Sequence, residues 1–113
     1  MLFDVRTITA EGWSLASVVG DLDLGTLPAL RTALDQLDGP RTGLDISGVG
    51  YLDTVVLGVV LGSRIRAHRR GGEFLVVCPA GSARDVLAES GVDAVLTVVG
   101  SAADLVSFGE SPA

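Results

Sequence analysis

The 113-residue chain contains no lysine: all eight of its basic residues are arginine, and fourteen acids oppose them for a formal charge of −6. Affinity for nucleic acid comes largely from Lys and Arg neutralising phosphates, so a direct DNA- or RNA-binding role is disfavoured. The one locally basic run, RIRAHRR (64–70), has helical spacing and reads as the solvated face of a helix. Cysteine is nearly absent as well. Cys78 stands alone, so there is no internal disulfide, and its apolar neighbours in EFLVVCP place it in the core. Nucleophilic catalysis by Cys or Ser would have to recruit His68, the only histidine, from the arginine-rich stretch. No run of about 18 apolar residues occurs, and MLFDVRTITAEG does not lead from a basic region into an apolar one. A cytoplasmic chain that does not engage a membrane is the expectation. Aromatic residues make up only 4% of a sequence that is 48% hydrophobic, so Val, Leu, Ile and Ala must build the core.

Glycine and proline divide what remains into short alternating elements. FDVRTI and WSLASVV flank Glu11-Gly12 and read as a hairpin. TLPALRTALDQL carries Leu27, Leu30, Leu34 and Leu37 at helical spacing, with Thr26 placed to cap, Pro28 in the first turn and Gly39-Pro40 as the stop. GLDISGV (43–49) suits a central strand. From Asp53 to about Arg70 the repeat of Leu57, Leu61 and Ile65 predicts a second helix. EFLVVC is a strand, SARDVLAES a helix capped by Ser82 and ended by Gly91, AVLTVV a strand, and SAADLVSF a last short helix. The order β-β-α-β-α-β-α-β-α implies parallel crossovers and an α/β domain over residues 1–108, with 109–113 (GESPA) as a flexible tail.

Acids gather at two strand ends, GDLDLGT (20–26) and GYLDT (50–54). The first resembles the D-x-D-x-T signature of haloacid-dehalogenase-like phosphatases, but after Asp21 and Asp23 the threonine falls one place late, at Thr26. A response-regulator receiver needs a lysine to hold phosphoryl oxygens, and the chain has none. No Walker or dinucleotide glycine pattern appears. Thr54 remains. If a helix begins there, its hydroxyl sits at the positive end of the helix dipole, where a phosphate can be accommodated. Asp53 or Thr54 as a simple N-cap is the compatible structural reading.

LDISGVGYLDTVVLGVVLG, followed by RRGGEFLVVCPAGSARDVLAESGVDAVLTVVGSAADL, resembles the STAS domain of bacterial anti-sigma factor antagonists. That family's pattern runs roughly L-D-L-S-x-V-x-F-(I/L/M)-D-S-(S/T)-G-L-G-x-L, then a basic helix, G-G, a strand, and a helix ending S-G. VVGDLDLGTLPALRTAL likewise resembles the family's G-E-L-D-x-x-T segment. The resemblance implies a STAS-like single α/β domain, a small mixed and mostly parallel sheet with about four helices packed mainly on one side. It implies a non-enzymatic regulator without cofactor or metal, a monomer or weak homodimer. Such a protein binds a GHKL-type serine/threonine kinase anti-sigma factor, frees the sigma factor, and is released by phosphorylation, with a serine phosphatase as a further partner. The residue directly after the motif Asp is the phospho-acceptor, here Thr54. The corresponding partner-binding set is Asp21, Asp23, Thr26, Asp53, Thr54, Val55, Val56, Gly58 and Val59. The chain departs from the pattern at Val55-Val56, where the family has Ser/Thr-Gly. This apolar pair favours the alternative of a STAS scaffold or sensor that assembles with other STAS proteins without a switch.

Overall fold

The hairpin comes first in the computed structural model, which describes residues 2–106. Strands β1 (Asp4–Ala10) and β2 (Trp13–Leu22) pair antiparallel with Ala10 opposite Trp13. Only two residues join them, Glu11 at φ 52° and Gly12 at φ 81°. Both positive angles define a type I′ turn, whose twist matches that of the flanking strands. Gly12 adopts its angle without penalty, whereas Glu11 holds a left-handed conformation that side chains with a Cβ disfavour.

Three crossovers follow. Helix α1 (Leu27–Asp35) leads to β3 (Arg41–Leu52), α2 (Leu57–Arg69) to β4 (Glu73–Val77), and α3 (Ser82–Ser90) to β5 (Thr97–Val99). The strands lie in the order β1-β2-β3-β4-β5, and every pair after the first is parallel. A sheet that always advances in one direction through crossovers of one hand must place all its helices on one face. Accordingly, Leu30 and Leu34 of α1, Leu57 and Val60 of α2 and Leu87 of α3 share one cluster with Val18, Leu44, Ile46 and Val76. Each fully buried Leu, Ile or Val contributes roughly 1.5–3 kcal/mol of hydrophobic stabilisation. On the opposite face Trp13, Leu15, Leu75, Val77 and Val99 pack with Leu105.

Several local expectations are corrected. About four helices were expected; among the described residues there are three α-helices and three short 3₁₀ turns, at Thr54–Val56, Val92–Ala94 and Ala102–Asp104. The final helix expected over 101–108 is a 3₁₀ turn that becomes helical at 105–106, and 107–113, including the expected tail, lie outside the described residues. The fifth strand is shorter than AVLTVV because its start is drawn into the turn Val92–Ala94. Ser82 makes no capping hydrogen bond, and Gly81 occupies the cap; Gly91, in the left-handed region, does end α3. The core stripe of α2 is Leu57, Val60, Ser63 and Ala67, not Leu57, Leu61 and Ile65. A strict four-residue repeat advances about 40° per step around a 3.6-residue helix, which carries Ile65 to the surface, 45% exposed.

Replacing Glu11 by Asn, which tolerates the left-handed region, is expected to stabilise the chain by about 1 kcal/mol. A higher denaturant midpoint at unchanged slope checks this; a lower one would mean that the Glu11 side chain supplies more than its backbone strain removes.

Candidate functional site

Strands β2 and β3 run parallel to their last residues, with Leu22 opposite Leu52. Immediately beyond, the Asp53 amide donates to the Leu22 carbonyl at 2.8 Å. Asp53 has extended backbone angles (φ −88°, ψ 138°), and its Oδ1 accepts the Val55 amide at 2.9 Å. That is N-cap geometry, so of the two candidates it is Asp53 that caps, and it caps the 3₁₀ turn leading into α2. Thr54 is the first residue of this turn and is exposed.

The loop after β2 is closed by Thr26, which occupies the expected N-cap position of α1 but makes no side-chain capping hydrogen bond there. Its hydroxyl accepts the Asp23 amide at 3.0 Å and donates to the Asp21 carbonyl at 2.9 Å. The Thr26 amide in turn donates to Asp23 Oδ1 at 3.1 Å. These reciprocal bonds hold residues 21–26 as one rigid turn and leave Leu24 outside it, 70% exposed.

Tyr51 lies on the same side of β3 as Asp53, as the two-residue period requires, and its hydroxyl donates to Asp53 Oδ2 at 3.4 Å. The Asp53 carboxylate beside it is the main reason the phenol is held above the ordinary tyrosine range. Lost solvation and the hydrogen bond to Asp53 add to this, and Asp23 and Asp21 contribute through their charges. Three carboxylates from two strand ends therefore act on one point.

The remaining expected residues divide around the start of α2. Val55, Gly58 and Val59 line an open groove of about 360 Å³ between α1 and α2, facing Leu27 and Arg31. Asp35 and Arg66, which also line it, form an ion pair at 2.9 Å. A Cβ placed on Gly58 would meet no atom within 4 Å, so nothing among the described residues requires glycine there. Asp53 and Thr54 instead face a second hollow, also about 360 Å³, shared with Tyr51, Val86 and Glu89. Val56 belongs to neither: it is 0% exposed and part of the core, which corrects its expected place on a contact surface. Its side chain fills the space beneath the turn, whereas Val55 stays 43% exposed.

Sequence reasoning passed over Tyr51, Leu24 and Glu89. The period-2 relation to Asp53 could have found Tyr51, and a leucine inside a polar turn could have found Leu24. Glu89 arrives from α3 and carries no local signal. Among the described residues no group of three His, Cys, Asp or Glu side chains could hold a metal ion. Cys78 is buried, and burial pushes its thiol above the usual range despite the nearby Arg84 charge.

A family model described as "Mlab, STAS domain" matches residues 13–100. Among solved structures the chain is similar to an anti-sigma factor antagonist from Mycobacterium paratuberculosis, with a TM-score of 0.87 and 23% identity over 97% of this chain and 96% of that one. It is also similar to the anti-sigma factor antagonist SpoIIAA in its unphosphorylated form, with a TM-score of 0.68 and 21% identity over 95% of this chain and 97% of that one. The Bacillus SpoIIAA in the phosphorylated form gives a TM-score of 0.63 and 19% identity over 95% of this chain and 99% of that one. No curated protein matches the chain in sequence.

Phenolate absorbance reports Tyr51 alone, because the chain has one tyrosine. Its titration midpoint is expected above the ordinary value near 10, and Asp53→Asn is expected to lower it. Because the folded-state value is the higher one, the associated stability is intact below the unfolded tyrosine value and is lost as pH rises through the folded one. A midpoint that ignores Asp53→Asn would remove Asp53 as the dominant charge.

Proposed function

The chain belongs to the STAS domain family, and from that premise we propose that it is an anti-sigma factor antagonist switched by phosphorylation of Thr54. Its partner in this reading is an anti-sigma factor of the GHKL kinase type, which it sequesters in the cytoplasm to free a sigma factor; a serine phosphatase resets the switch. The chain acts by binding and catalyses nothing itself.

The observation that carries the reading is the placement of Thr54. It is an exposed hydroxyl on a capped turn, directly after Asp53 and next to the half-exposed Val55. The hollow it lines contains the carboxylates of Asp53 and Glu89 and, among the described residues, no basic side chain. A phosphoryl group adds about −1.5 to −2 charge and three acceptor oxygens. In that hollow it would find no cation to pair with, so its charge adds to a surface already made anionic by Asp21, Asp23 and Asp53. A partner seated on apolar contacts there loses them to desolvation and repulsion. Of the solved structures similar to this chain, one is a phosphorylated form, which accords with the proposal.

The contact surface we assign runs from the clamped 21–26 turn to the start of α2. Leu24 and Val55 are its apolar anchors, Asp21, Asp23 and Asp53 its charged border, and Gly58 and Val59 its extension into the groove beside α1. Thr26 contributes by holding the turn rather than by touching the partner. Asp53 orients Thr54 by fixing the turn it begins.

Incubation with the kinase-type anti-sigma factor and ATP should add one phosphoryl group at Thr54, located by mass spectrometry, and Thr54→Val should abolish it. Thr54→Asp should weaken binding roughly tenfold or more, about 1.4 kcal/mol. Modification confined to other residues, or undiminished affinity of Thr54→Asp, would defeat the switch. A mass of many chains for the unmodified protein would instead favour a scaffold that assembles with other STAS domains.

A further inference from the structure

We propose that β1 is a self-pairing strand: two copies of the chain join antiparallel through the outer edges of β1, making one continuous sheet across a two-fold axis. β1 forms an end of the sheet, so among the described residues one of its edges has no partner strand. The two-residue turn makes Ala10 and Trp13 a hydrogen-bonded pair, and alternation then directs the N–H and C=O groups of Ile8, Arg6 and Asp4 toward β2. Those of Val5, Thr7 and Thr9 point outward, free to bond another strand.

Edge strands are normally protected by proline, bulges, charged side chains or a covering element. β1 has no proline and no bulge, its register with β2 being unbroken from Asp4 to Ala10, and its two charges, Asp4 and Arg6, are opposite in sign and so do not repel a second copy in the right register. Nor does α1 cover it. An open groove of about 480 Å³ separates them, lined on the α1 side by Pro28, Ala29, Thr32, Ala33 and Gln36. This wall is small and uncharged in a chain of net charge −6. The charged residues of α1, Arg31 and Asp35, line the other groove, against α2. Two copies can therefore bring their α1 walls together without repulsion.

Charge complementarity identifies the occupant as a second copy. The only charges on β1 are Asp4 and Arg6, which pair with each other at 2.7 Å while remaining largely exposed. With Val5 opposite Val5 of the second copy, Arg6 lies across from Asp4 of the second copy, and the reverse pair forms by symmetry. The Val5 pair falls on the helix side, where Val5 already packs against the main core. The Arg-Asp pairs fall on the other side. Thr54 follows β3, and β2 lies between that strand and β1; the self-pairing needs no phosphorylation, so the proposal stands or falls apart from the switch.

Light scattering and sedimentation of the full chain from micromolar to millimolar concentration test it. The mass is expected to rise to that of two chains. Arg6→Asp, which sets Asp against Asp, should return it to one chain that still unfolds in a single cooperative transition, with the thermal midpoint the unmodified chain shows when diluted to one chain, and Asp4→Arg combined with Arg6→Asp should restore the dimer. In the unmodified chain the Val5 and Thr7 amides should exchange more slowly as concentration rises. A single-chain mass throughout, a dimer indifferent to Arg6→Asp, a double variant that stays monomeric, or amide exchange independent of concentration would each overturn the proposal. Protection of Val5 and Thr7 that appears only on adding the anti-sigma factor would assign the edge to a partner's strand instead, and overturn it too.

Discussion

The hydrogen bond from the Asp53 amide to the Leu22 carbonyl, 2.8 Å long, fixes the relation between the two loops of the candidate site. It extends the parallel pairing of β2 and β3 by one bond past the last strand residues. The 21–26 turn and the capped turn at Thr54 are thereby tied to each other rather than to separate flexible segments. Each turn is then stiffened internally, one by the Asp23 and Thr26 pair and the other by the Asp53 carboxylate on the Val55 amide. Sites held by strand ends in this way keep a fixed geometry while presenting side chains to solvent.

The fold was legible where signals were short-range. The I′ turn at Glu11-Gly12, the leucine spacing of α1 and the glycine after α3 each follow from a few adjacent residues. The errors arose where tertiary context decides. Thr26 has the chemistry of a helix cap, yet its hydroxyl finds better partners in Asp21 and Asp23, two bonds that exist only because the chain doubles back there. Val55 and Val56 look equivalent in sequence, but a turn of 3₁₀ geometry separates neighbours by about 120°. One therefore enters the core while the other meets solvent.

That division bears on what the two valines mean. The buried one is a packing residue, and its presence says nothing about partners. Only Val55 alters the surface, and it does so toward the α1 groove while Thr54 lies toward α3. The acceptor hydroxyl and the apolar contact are thus on different sides of one turn. Acidic side chains line the hollow beside Thr54 from the end of β3 and from α3, an arrangement that no linear motif could have disclosed, because Glu89 is brought in only by the packing of α3 on β3.

Gly58 has a consequence for how this chain can change. In an exposed helical position glycine costs about 1 kcal/mol relative to alanine, and here no neighbouring atom would obstruct the added methyl group. Alanine there would therefore narrow the groove at no steric expense while adding stability, so at this position stability and an open surface are in direct competition.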